Sequence, residues 1–100
     1  MKKYVINLGL NDKDLHYQVV NDYEVEKMLV YCTKEVKIVG ATIKTGLVGI
    51  YKGEKEKTVE ITIVDVEENK VMLLCELLKK AFNQECVMLE IFENAEIKFA

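Results

Sequence analysis

Apolar residues recur at every second position near the start of the chain. In YVINLGL, residues 4–10, Tyr4, Ile6, Leu8 and Leu10 fall on one face and Val5, Asn7 and Gly9 on the other, which predicts a half-buried strand. The polar run NDKD then ends it. In NDYEVEKMLVYCTKE, Asn21 precedes Glu24 by three residues, a capping-box-like helix start. Val25, Met28, Leu29 and Cys32 follow at helical spacing and give that helix one apolar face.

From Val36 the period shortens again. VKIVGATIK, GLVGIYKG and TVEITIVDV are rich in β-branched residues and interrupted by Gly40, Gly46, Gly49 and Gly53, as in a twisted hairpin with bulges. KGEKEK, residues 52–57, is the expected turn. On the return strand Val59, Ile61 and Ile63 share one face, with Thr58, Glu60, Thr62 and Val64 on the other. Asp65 to Glu68 introduces a second helix over roughly 67–82, where acidic residues complement the helix dipole. CVMLEIF, residues 86–92, alternates as a strand, and AEIKFA leaves room for a short fifth one.

The order βαββαβ predicts an α+β, ferredoxin-like fold in a single domain spanning residues 1–100, with two helices on one face of an antiparallel sheet. The other face then carries Val5, Val64, Cys86, Met88 and Phe92 among polar neighbours without a helix over them. Burial of that face in a homo-oligomer is expected, with a C-terminal tail folded across it as the alternative.

Composition narrows the chemistry. A formal charge of −3 and a pI near 5.2 give no electrostatic reason to bind nucleic acid. All 14 cationic side chains are Lys, so an anion must be held by lysines, backbone N–H groups or a helix N-terminus. Cys32, Cys75 and Cys86 lie in apolar segments and read as reduced core thiols. The N-terminal apolar run is too short for a signal peptide and no span reaches transmembrane length, so no membrane partner and a cytoplasmic location are expected.

Motifs for catalysis are sparse. There is no serine, which excludes a Ser-His-Asp triad, and the cysteines sit on apolar stripes where a raised thiol pKa is expected. His16, the single histidine, reads as an exposed loop residue, and NDKD lacks the spacing of a calcium loop. No phosphate-cradling glycine motif is present, and Gly46 and Gly49 read first as a bulge. From these residues an enzyme is not expected, nor a metal or cofactor.

LGLNDKD near the start, GLVGIYKGE followed by TVEITIVD, and LLKKAFNQECV before the last strand resemble small uncharacterised βαββαβ proteins of low-GC bacteria and their phages. The architecture is more distantly similar to PII-like signalling domains. That resemblance implies a non-catalytic, oligomeric binding protein that senses or sequesters a nucleotide-type signal, for example a phage protein countering host defence. It places ligand contacts at Asn11, Asp12 and Lys13 in the first loop, Tyr51 and Lys52 at the hairpin, and Asn83 and Gln84 after the second helix. Lys13 or Lys52 would neutralise phosphate and Tyr51 would stack on a base. The alternative is a protein-interaction module or inhibitor that acts on a protein partner.

Overall fold

The Asn21 side chain accepts the Glu24 N–H at 2.9 Å, so the first helix starts where its capping chemistry predicts. The computed structural model describes residues 1–100. Its elements run β1 (Lys3–Gly9), α1 (Asp22–Glu35), β2 (Thr42–Tyr51), β3 (Glu54–Val64), α2 (Glu68–Ala81) and β4 (Met88–Phe92). The strands form one antiparallel sheet in the order β2-β3-β1-β4, the ferredoxin-like arrangement.

Alternation decides which face is dry. Tyr4, Ile6 and Leu8 of β1 pair with Ile63, Ile61 and Val59 of β3, and all six are buried. Val25, Leu29 and Cys32 of α1 and Val71, Leu74, Cys75 and Leu78 of α2 complete that core. Burying each such aliphatic side chain contributes about 1.5–3 kcal/mol, and this is what holds both helices to one face. Tyr4 is wholly buried, yet its hydroxyl has no hydrogen-bond partner.

The opposite face is helix-free, as expected. Asn7 pairs with Glu60 and Met88, and Gly9 pairs with Thr58, so these residues point away from the core. Met88 and Phe92 are exposed there.

Three local expectations are corrected. The hairpin turn is only Lys52-Gly53, with φ of 51° and 79°, because positive φ at both central residues matches the strand twist and lets Glu54 to Lys57 join β3. β4 begins at Met88, which leaves Cys86 in the preceding loop and exposed instead of in the core, whereas Cys32 and Cys75 are buried. Burial pushes both of those thiols up. No fifth strand forms from AEIKFA, which is tied back by one backbone bond from Ala95 to Met1, and Phe99 is exposed. No helix is long and apolar enough to cross a membrane.

Candidate functional site

Three segments converge beyond Gly9: the loop after β1, the tip of the β2–β3 hairpin, and the turn from α2 to β4. The first is held by its own polar side chains. Oδ1 of Asp12 accepts the N–H groups of Asp14 and Leu15 at 2.8 and 3.0 Å, which is ordinary Asp turn chemistry. Its Oδ2 accepts from Asn83 Nδ2 at 3.0 Å, and the same amide reaches Asp14 at 2.9 Å. Gln84 donates to the Asn11 carbonyl at 2.6 Å, and Asn11 Nδ2 reaches the Lys55 carbonyl at 3.3 Å. The Asn83 amide, followed by the two backbone bonds, holds the Asp12 carboxyl below its usual range.

At the hairpin, the Tyr51 hydroxyl donates to Glu85 at 2.9 Å and Lys52 Nζ pairs with the same carboxylate at 3.0 Å. Lys52 and then Tyr51 hold Glu85 below its ordinary value. The phenol is pushed up to about 12, first by that bond to Glu85 and then by Cys86, whose sulfur lies 4.0 Å away. Tyr51 therefore keeps its proton at neutral pH.

Together these segments enclose a cavity of about 670 Å³, within the range of sites for nucleoside-sized ligands. Asn11, Asp12, Lys13, Tyr51, Lys52 and Gln84 line it; Asn83 stands behind, pinning the loop. The floor is the helix-free face of the sheet, formed by Asn7, Gly9, Gly49, Glu56, Thr58 and Met88. None of these floor residues is among the ligand candidates read from the sequence, although the alternation of β1 and β3 already places Asn7, Gly9, Thr58 and Glu60 on that face. His16 lies at the rim, exposed, 3.9 Å from Glu54.

The charge of the lining differs from that of a phosphate site. Asp12, Glu54, Glu56 and Glu85 face only Lys13 and Lys52, and Lys52 is already paired with Glu85. Such a cavity favours a cation over a polyanion. No cluster of three or more His, Cys, Asp or Glu side chains is arranged to hold a metal ion.

Fold and site thus define a ferredoxin-like domain with a ligand-sized, acid-rich cavity at one end of its open sheet face. The chain belongs to the S-adenosylmethionine lyase family, whose model matches residues 15–99. Among solved structures it is similar to a phage S-adenosylmethionine (SAM) lyase in the apo state, with 27% identity, a TM-score of 0.66, and coverage of 91% of this chain and 78% of that one. It is also similar to a phage SAM lyase in complex with S-methyl-5'-thioadenosine, at 27% identity, a TM-score of 0.64 and coverage of 92% and 80%. A nitrogen regulatory PII-like protein from Thiomonas intermedia K12, bound to ADP, AMP and bicarbonate, shares the fold at 18% identity, with a TM-score of 0.58 and coverage of 91% and 86%. No curated protein is significantly similar in sequence.

The resemblances to phage proteins and to the PII-like architecture hold. The expectation of a non-catalytic binder does not, and neither does the expectation that the chain is not an enzyme: the family and both phage neighbours are lyases. The absence of serine excludes a triad, but it does not exclude catalysis that needs no protein nucleophile.

Proposed function

We propose that this chain cleaves S-adenosylmethionine and releases S-methyl-5'-thioadenosine. Family membership supplies the reaction class, and the observation that carries the reading is the charge of the cavity. SAM has a sulfonium and an ammonium but no phosphate, and this lining offers an excess of carboxylates. The substrate brings its own leaving group. When the bond between sulfur and the methionyl γ-carbon breaks, both electrons go to sulfur, which departs as a neutral thioether. In a lyase no water is added, so the γ-carbon is satisfied from within the fragment: an oxygen of its own carboxylate bonds to it as the sulfur leaves with the electron pair. The protein's task is to bind, orient and exclude water.

Within this reading Tyr51 presents its ring to the adenine, with its hydroxyl held by Glu85. Lys13, whose ammonium has no salt-bridge partner, meets the substrate carboxylate. Asn11, Asp12, Asn83 and Gln84 keep the loop in place, and Lys52 keeps Glu85 in place. The exposed Met88 and Phe92 on the helix-free face support self-association as a homo-oligomer next to the cavity. Incubating purified protein with excess SAM tests the reading by chromatography: SAM should disappear with equal appearance of S-methyl-5'-thioadenosine over many turnovers. Binding without turnover would contradict it.

A further inference from the structure

Asn83 is bonded to three consecutive residues of the loop after β1. Its amide Nδ2 donates to Asp12 at 3.0 Å and to Asp14 at 2.9 Å, and its backbone carbonyl accepts the Lys13 N–H at 3.0 Å. Lys13 stands between the two carboxylates in the chain, so this clamp fixes the backbone from which its side chain leaves.

Ending the helix does not explain the residue. Asn83 follows the C-cap Phe82 with φ of 48°, and the N–H groups of Asn83 and Gln84 close α2 on the carbonyls of Lys80 and Lys79 at 3.3 and 2.9 Å. That cap uses backbone atoms alone, and glycine adopts its left-handed conformation without strain. What asparagine adds is the amide, and the amide donates to the loop on both sides of Lys13. Lys13 lines the cavity, where the other lysine, Lys52, is already paired with Glu85. It is the cation left for an incoming carboxylate.

We propose that Asn83 is a positioning residue that aims Lys13 at the carboxylate of the substrate, so that one carboxylate oxygen faces the γ-carbon. This rests on the SAM-cleaving reading and deepens it by naming what sets the geometry of attack. The nucleophile belongs to the substrate, so its orientation depends on the group that grips it. S-methyl-5'-thioadenosine carries no carboxylate. A fault in the clamp therefore shows in turnover of SAM and not in binding of that product.

The test compares wild type, Asn83→Gly, Asn83→Asp, Lys13→Met and the double variant Asn83→Gly/Lys13→Met. Asn83→Gly keeps the left-handed turn and removes the amide, so kcat/KM for SAM should fall about tenfold or more, the scale of a displaced reacting group. Affinity for S-methyl-5'-thioadenosine should stay within about twofold, because no contact to the thioether or the nucleoside is lost. In the Lys13→Met background the same change should cost less than about twofold, since its effect runs through Lys13.

Asn83→Asp supplies a readout that a merely structural role would not move. The new carboxyl would face Asp12 and Asp14 with Lys13 between them, Glu85 two residues further along the turn, and Lys79 and Lys80 ending α2 behind it. When ionised it repels both loop carboxylates, which raise its pKa; when protonated it donates again. Its kcat/KM relative to wild type should therefore be lowest at neutral pH and rise as pH falls toward about 5. Wild-type kinetics in Asn83→Gly, an equal loss of product affinity, full additivity with Lys13→Met, or a pH-independent ratio for Asn83→Asp would each overturn the assignment. Wild type that cleaves SAM while the Asn83 variants behave as wild type sinks this inference alone; wild type that does not cleave SAM sinks the proposed function and this assignment with it.

Discussion

Replacing Gly49 by alanine should damage substrate binding while leaving stability nearly unchanged. Gly49 lies opposite Glu56 on the cavity floor, and an added Cβ would stand 2.5 Å from Thr58 Oγ1 and 3.9 Å from Glu56 Cγ. Alanine in place of a strand-interior glycine gains about 0.5–1 kcal/mol. Forcing the β-branched Thr58 off its rotamer costs about 0.5–1.5 kcal/mol, so the two effects nearly cancel. The melting temperature should therefore move by less than about 4 °C for a domain of this size. In the cavity the same methyl group removes space from a fitted ligand, worth about 1–3 kcal/mol or a 10–200-fold rise in KM. Gly40→Ala is the control, because nothing lies within 4 Å of a Cβ there. It should stabilise by about 0.4–1 kcal/mol through the unfolded chain and leave kinetics alone. Thermal melts and steady-state turnover of SAM on the three proteins decide the matter. Wild-type kinetics in Gly49→Ala would refute the placement of substrate on this floor, and a fall of more than about 10 °C would refute the packing argument.

Tyr4→Phe should leave the protein as stable or stabilise it by about 1 kcal/mol in urea unfolding, because the buried hydroxyl it removes has no partner; a clear loss would reveal a hydrogen bond that the hydroxyl makes in solution. Asn21→Ala removes the α1 cap and should cost about 1 kcal/mol in the same assay, with kinetics unchanged. Asp12 and Glu85 are held below their ordinary values of 3.8 and 4.5. A depressed carboxylate stabilises the fold above its unfolded value and ceases to as pH falls through the folded one, so urea midpoints should drop between about pH 5 and about pH 3. Glu85→Gln should flatten part of that drop. Tyr51, raised to about 12, works in the opposite sense: its contribution is complete below the ordinary value of 10.0 and is lost toward 12, so Tyr51→Phe should be less sensitive to alkali.

Local chemistry made the fold readable. The alternation of Tyr4, Ile6 and Leu8 and the pairing of Asn21 with Glu24 each specify their element over a few residues, and the structure follows them. Cys86 was misread because its apolar neighbours belong to a strand that starts only at Met88. The candidate loops were legible as loops, and six of the seven candidate residues line one cavity. Of its floor, Asn7, Gly9 and Thr58 were legible as residues of the open face, but Glu56 was not, because it sits in KGEKEK and reads there as a solvated turn. Its position depends on Gly9 and the Asn11 N–H, which only strand pairing brings to it. The lyase chemistry of the family was illegible for a chemical reason. A search for nucleophiles and bases finds enzymes that attack their substrates, and a sulfonium that departs by itself leaves no such motif.

The most direct measurement uses SAM labelled on the sulfur-bound methyl group, incubated in excess with the purified chain and followed by chromatography with mass detection. The account predicts that the label moves, over many turnovers, into S-methyl-5'-thioadenosine. Label that stays in intact SAM, or that is transferred to another acceptor, would contradict it.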